Sequence, residues 1–205
     1  MKCVVIAAGY ATRLGELTKN FPKPLLKIGE NTILGRMLDD IDRIPEIDEH
    51  IIITNHKFAG IFEEWKKDLH YSKAITIVDD GTETNETRLG AVCDLLYAMD
   101  KLHIDDDLLV VAADNLLFFS FQEFVDFANT KQTSCIMCHE QPSIEKLQRT
   151  GVVELDANNK VLGMEEKTTR AQESLGCASI LYLSEERPRL GTTFSKEWLR
   201  QGCAR

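Results

Sequence analysis

The chain has 205 residues, 43% hydrophobic and 28% charged, a composition that excludes a disordered or fibrous protein and supports a full core without staples. Acidic residues (33) outnumber basic ones (24), leaving a formal charge of −9 that argues against nucleic acid as a partner. No apolar run reaches the roughly 18 residues of a membrane span, and Met1–Gly9 turns polar too soon for a secretion signal. The expectation is therefore a cytoplasmic protein, with no membrane partner and with 6 reduced cysteines.

The elements alternate along the chain. Cys3 to Ala8 is a continuous apolar run, as a buried parallel strand requires. A glycine-containing polar loop follows. Asn31 or Thr32 can cap a helix with an apolar face of Ile33, Leu34, Met37, Leu38, Ile41 and Ile44, closed by Pro45. His50–Thr54 reads as a second strand. Phe58, Ile61, Phe62, Trp65 and Leu69 have helical spacing, and Ala74–Val78 reads as a third strand. The polar stretch 79–86 leads to a helix carrying Leu89, Val92, Cys93, Leu96 and Met99. Leu108–Ala113 is a fourth buried strand, followed by a helix with Phe121, Phe124, Val125 and Ala128. This order predicts an α/β fold: a Rossmann-like doubly wound mixed sheet in three α/β/α layers. From about residue 132 the chain becomes strand-rich. Strands at Val152–Leu155 and Val161–Glu166 flank the turn 156–160, and another strand spans Ala178–Leu183.

Cys135, Cys138 and His139 spell C-x-x-C-H, a haem-attachment pattern. They sit in a predicted strand, where residues three apart point to opposite faces, so they are read as structural. Asp79-Asp80 and Asp105-Asp106-Asp107 are read as solvated loop ends. Phe118, Phe119, Phe121 and Phe124 are read as core.

Three features converge on the carboxyl ends of the strands, where open α/β sheets bind ligands. In Ala7-Ala8-Gly9-Tyr10-Ala11-Thr12-Arg13-Leu14-Gly15, glycines permit tight turns whose free N–H groups can cradle phosphate, and Arg13 adds a forked cation. In Phe21-Pro22-Lys23-Pro24-Leu25-Leu26, prolines stiffen the backbone around Lys23, which is aimed at a phosphate or simply solvated in a rigid turn. Asp114 ends the fourth strand and suits Mg²⁺ or, equally, a turn or cap.

Together, Ala7-Ala8-Gly9, Thr12-Arg13-Leu14 and Pro22-Lys23-Pro24-Leu25 resemble the signature of the sugar-phosphate nucleotidyltransferases, the nucleoside-diphosphate-sugar pyrophosphorylases. The resemblance covers roughly residues 2–183 and is strongest at the N-terminus. It implies an enzyme that joins a nucleoside triphosphate to a sugar 1-phosphate with Mg²⁺, releasing pyrophosphate by in-line attack on the α-phosphorus. By the same resemblance Ala7, Ala8, Gly9, Thr12, Arg13, Lys23, Thr87 and Gly90 bind the nucleotide, and Asp114 holds the metal. Gly151, Glu166 and Lys167 take the sugar phosphate, and Arg13, Lys23, Asp114 and Lys167 form the catalytic set. One domain is expected over residues 1–205: a nucleotide half to about 115, a sugar-phosphate half to about 185, and an atypical tail.

The family supplies a second metal aspartate late in the chain, whereas here no Asp follows Asp156. The resemblance thus implies a C-terminally shortened member. Either Glu165 or Glu166 completes the metal site, or one carboxylate suffices. A missing late strand would expose a sheet edge, so a homo-oligomer is an expected option. Two alternatives stay open: a cytidylyltransferase for a non-sugar phosphate such as phosphocholine, and a non-catalytic nucleotide-binding protein.

Overall fold

The run Cys3-Val4-Val5-Ile6 forms a strand flanked by a parallel neighbour on each side, which explains why it is apolar without alternation. The computed structural model describes residues 1–11, 15–141, 143–148, 151–166 and 175–183; of Lys146, Glu166 and 175–183 only the backbone is described. In chain order the first elements are β1 (Lys2–Ile6), α1 (Glu16–Lys19), a 3-10 turn at Lys23–Leu25, β2 (Lys27–Ile28), β3 (Asn31–Thr32) and α2 (Ile33–Ile41). Next come β4 (Glu49–Thr54), α3 (His56–Lys67), β5 (Ala74–Asp79), α4 (Ala91–Lys101), β6 (Leu108–Ala112) and α5 (Phe121–Lys131). The remaining elements are β7 (Cys135–Glu140), α6 (Ile144–Leu147), β8 (Gly151–Leu155), β9 (Val161–Glu166) and β10 (Leu175–Leu183).

The sheet runs β5-β4-β1-β6-β10-β8-β9, with β7 also paired to β10. The first four strands are parallel, and β10 joins β6 antiparallel. The chain moves outward from β1 to β4 and β5, and then α4 carries it back to β6 on the other side of β1. The order therefore reverses between β1 and β6, and that switch point is where an open sheet leaves a crevice.

Alternation along the strands divides the core into two layers. Cys3 and Val5 pack with Leu34, Leu38, Phe58, Phe62 and Val125 of α2, α3 and α5. Val4, Ile51 and Val110 pack with Leu95, Ala98 and Met99 of α4. The predicted three-layer mixed sheet is the one observed.

Local signals account for several boundaries. Thr32 caps α2, its Oγ1 accepting the Gly35 N–H at 2.9 Å, while Asn31 Oδ1 accepts the Thr32 N–H. The helix ends at Ile41, before Ile44, where the chain tightens into turns with the Arg43 N–H on the Asp40 carbonyl and the Ile44 N–H on the Ile41 carbonyl, and the Lys73 ammonium takes the carbonyls of Asp42 and Ile44. The β8–β9 hairpin closes as expected: Asp156 Oδ1 accepts N–H groups from Asn158 and Lys160.

Other expectations are corrected. The polar stretch 16–32 contains α1, the 3-10 turn and the small β2–β3 ladder, all too short for periodicity to reveal. Leu89 lies before α4 and is exposed, because Gly90 caps that helix. Asp80 is buried, not solvated, and Phe118 is 96% exposed, not core. Cys93 is disulfide-bonded, so the 6 cysteines are not uniformly reduced thiols, while Cys3, Cys135 and Cys138 are in no disulfide. Among the described residues, no helix is long and apolar enough to cross a membrane.

Candidate active site

A cavity of about 640 Å³ lies at the switch point between β1 and β6. Its floor is the chain leaving those strands: Ala7, Ala8 and Gly9 after β1, and Ala113 and Asp114 after β6. These small side chains leave the backbone open to a ligand. The loop is held from below by Asn55, a fully buried side chain. Its Nδ2 donates to the Ala8 carbonyl at 3.0 Å, and its Oδ1 caps α3 by accepting the Phe58 N–H at 3.1 Å.

Lys23 forms one wall. Pro22 precedes it in extended conformation and Pro24 follows it in the 3-10 turn, so the turn is short and stiff. Its ammonium reaches Asp114 Oδ2 at 3.0 Å, across 91 residues of sequence. Both side chains are partly exposed, at 31% and 52%, so the pair is worth no more than about 1 kcal/mol and can readily exchange partners.

The facing wall is Arg88, Gly90, Ala91 and Asp94. Gly90 has φ 91°, a conformation that favours glycine, and turns the loop into α4. Arg88 directs its Nη1 to Asn85, at 2.6 Å from Oδ1. Asp94 is 4% exposed, and its Oδ1 has no hydrogen-bond partner. Burial, together with the nearby Asp80 carboxylate, pushes the Asp94 carboxyl up to about 7. Asp80 is itself anchored: its Oδ1 accepts the Thr82 N–H and hydroxyl at 2.6 and 2.8 Å, and Thr82 Oγ1 meets the Tyr10 hydroxyl at 3.1 Å.

The cavity thus gathers Ala7, Ala8, Gly9, Lys23, Gly90 and Asp114 from the residues expected to form the site. Thr87 is exposed and does not line it; its hydroxyl donates to the Thr84 carbonyl in a tight turn. Gly151 begins β8 directly opposite Glu166 at the end of β9, so that expected pair shares one register position. Thr12, Arg13 and Lys167 lie outside the described residues. Sequence reasoning did not single out Arg88 or Asp94 for the site. The available signals were a base two residues before the capping glycine, and an acid at the fourth position of an apolar helix.

Among the described residues, no group of three or more His, Cys, Asp or Glu side chains is gathered for a metal. Asp114 nevertheless fits Mg²⁺ in the way that ion usually binds, as one carboxylate completed by phosphate oxygens and water.

The open sheet and a crevice at its switch point define an α/β protein of the doubly wound class. Residues 2–186 match the family model described as Nucleotidyl transferase, and the chain belongs to that family. It is 27% identical over 180 residues to the bifunctional protein GlmU of Methanococcus aeolicus, spanning 88% of this chain and 39% of that protein. It is 24% identical over 189 residues to the glucose-1-phosphate adenylyltransferase of Fervidobacterium nodosum, spanning 86% and 45%. The chain therefore spans less than half the length of either relative. UDP-glucose pyrophosphorylase in complex with UDP-glucose shares the fold, with a TM-score of 0.74 at 18% identity over 89% of this chain and 75% of that one.

Proposed function

We propose that this chain is a nucleotidyltransferase that joins a nucleoside triphosphate to a sugar 1-phosphate, giving a nucleotide sugar and pyrophosphate. The observation that carries this reading is the convergence of the Ala7–Gly9 backbone, Lys23 and Asp114 in one cavity at the switch point. Phosphoryl transfer of this kind needs positioning and charge stabilisation, not a protein nucleophile. The backbone of Ala7–Gly9 cradles the triphosphate. Lys23 leaves Asp114 and neutralises charge as it builds on the phosphate oxygens. Asp114 would hold Mg²⁺, which supplies further neutralisation of the triphosphate. Arg13 joins Lys23 on the triphosphate, and Thr12 binds the nucleotide with them. Gly151, Glu166 and Lys167 bind the acceptor, the strand-rich half serving it as the front half serves the nucleotide.

The test is pyrophosphate release with Mg²⁺ across the common nucleoside triphosphates crossed with several sugar 1-phosphates and phosphocholine. Release with a sugar 1-phosphate is the expected outcome, abolished by a chelator. Lys23→Ala should lower turnover by about 100-fold or more, since it removes a charge aimed at the transition state. Turnover only with phosphocholine would convert the reading to a cytidylyltransferase for a non-sugar phosphate. Triphosphate binding with no release in any combination would make the chain a non-catalytic nucleotide binder.

A further inference from the structure

The loop that leaves β1 is fastened at Ala8, at Tyr10 and at Ala11. Asn55 Nδ2 holds the Ala8 carbonyl at 3.0 Å. The Tyr10 hydroxyl meets Thr82 Oγ1 at 3.1 Å, and the Tyr10 ring packs at a tilt on Phe58, with 6.3 Å between centroids. The buried Thr18 hydroxyl donates to the Ala11 carbonyl at 2.9 Å.

The Tyr10 contact has a fixed direction and a firm footing. Thr82 has one hydroxyl proton and gives it to Asp80 Oδ1, so Tyr10 is the donor and Thr82 the acceptor. Thr82 and Asp80 are both buried. Their backbone is tied to the junction of β4 and α3: the Asp80 N–H lies on the Thr54 carbonyl and the His56 N–H on the Thr82 carbonyl, each at 2.9 Å. Asn55 belongs to the same junction, so one corner of the fold grips the loop twice, at Ala8 directly and at Tyr10 through Thr82.

The grip holds a conformation that alanine resists. Ala11 has φ 46°, in the left-handed region, where a Cβ crowds the following carbonyl. A residue stays there only when its surroundings over-determine it. Tyr10 fastens the residue before Ala11, and Thr18 fastens the Ala11 carbonyl itself. Ala11 lines the cavity together with Ala7, Ala8, Gly9, Lys23 and Asp114. We propose that Tyr10 and Thr18 are positioning residues that hold this loop with Ala11 left-handed, so that its backbone is set for the triphosphate before the ligand arrives. A preset loop binds without the ordering cost that a relaxed one would meet. This inference rests on the nucleotidyltransferase reading and adds to it the side chains that shape the phosphate-binding loop.

The experiment is calorimetric binding of GTP, ATP, CTP, UTP and dTTP to the full chain with Mg²⁺, the variants being compared on the tightest binder. Tyr10→Phe keeps the ring on Phe58 and removes only the hydroxyl. It should weaken binding about fivefold to tenfold, the scale of one hydrogen bond. Thr18→Val should do the same, while Thr18→Ser keeps the donor and should stay within about threefold of the wild type. The deciding variant combines Tyr10→Phe with Ala11→Gly. Glycine enters the left-handed region without a Cβ penalty, so the double variant should return to within about threefold of the wild type. A hydroxyl that merely stabilises the fold would not be rescued at Ala11. Wild-type affinity in Tyr10→Phe overturns the proposal, as does a folded double variant that binds as weakly as Tyr10→Phe alone. Either result leaves the nucleotidyltransferase reading standing, whereas failure of the wild type to bind any triphosphate removes both.

Discussion

At the scale of single residues, burial decides chemistry. Asp114 and Asp94 are both aspartates lining one cavity, yet one is half-exposed beside a lysine and the other is buried beside an acid. Asp94 therefore carries a pH signature. Its folded pKa of about 7 lies above its unfolded value of 3.8, so the folded state holds a proton that the unfolded state gives up. Its contribution is fully present below about pH 4 and is lost as pH rises towards 7. Denaturant unfolding of wild type and Asp94→Asn at successive pH values should show the variant gaining on the wild type from pH 4 to 7, then running parallel. The gain should be on the order of 3 kcal/mol. A constant difference across that range would show that Asp94 does not titrate there. His50 and Asp42 shift in other directions, but they are common to both proteins and cancel in the comparison. Burial lowers the His50 pKa, while Asp42 is held at about 2 because N–H groups of Ser72 and Lys73 and the His50 ring outweigh its burial.

At the scale of elements, caps and turns overrule propensity. Glycine inside a helix ordinarily costs about 0.5–1 kcal/mol relative to alanine. At Gly35 of α2 the sign should reverse. A Cβ there would collide with Asn31 Oδ1 and sit 2.9 Å from Thr32 Oγ1, the two side chains that organise the start of the helix. Gly35→Ala should lower stability by about 1–2 kcal/mol, measured by urea unfolding. A stabilised variant would mean that the cap yields without cost. Thr32 and Asn31 were legible as capping residues because the signal is local. The 3-10 turn at Lys23–Leu25 was legible only as stiffness, since two prolines restrict φ without saying where the lysine will point.

At the scale of the whole molecule, the site belongs to no single element. The chain leaves the sheet at β1, returns at β6, and only then brings Asp114 to Lys23. β10 comes from late in the chain yet pairs with β6 next to the site, so the parallel half of the sheet is completed by a distant antiparallel strand. A ligand spanning the cavity should therefore stabilise the whole protein. A triphosphate at about 100 times its dissociation constant contributes about 2.7 kcal/mol. In a chain of this size that corresponds to a rise in melting temperature of roughly 5–10 °C. Lys23→Ala should lose most of the shift at the same concentration. A full shift in that variant would separate binding from the lysine.

Some of this protein was written in local pattern. The apolar runs of β1 and β6, the faces of α2 and α5, the cap at Thr32 and the turn at 156–160 all depend on neighbours within a few residues. The signature from Ala7 to Leu25, with Asp114 at a strand end, pointed to the edge of the sheet where the cavity lies. Long-range packing decided the rest. It paired Lys23 with Asp114, buried Asp80 that the sequence marks as a solvated loop end, and turned Asp94 from an unremarked helix residue into part of the cavity wall. It also left Phe118 in solvent, although its composition suits a core. Periodicity records which face of an element is apolar. Whether a charged group on that face meets water, a partner or a cavity depends on elements tens of residues away, and only the folded sheet brings those together.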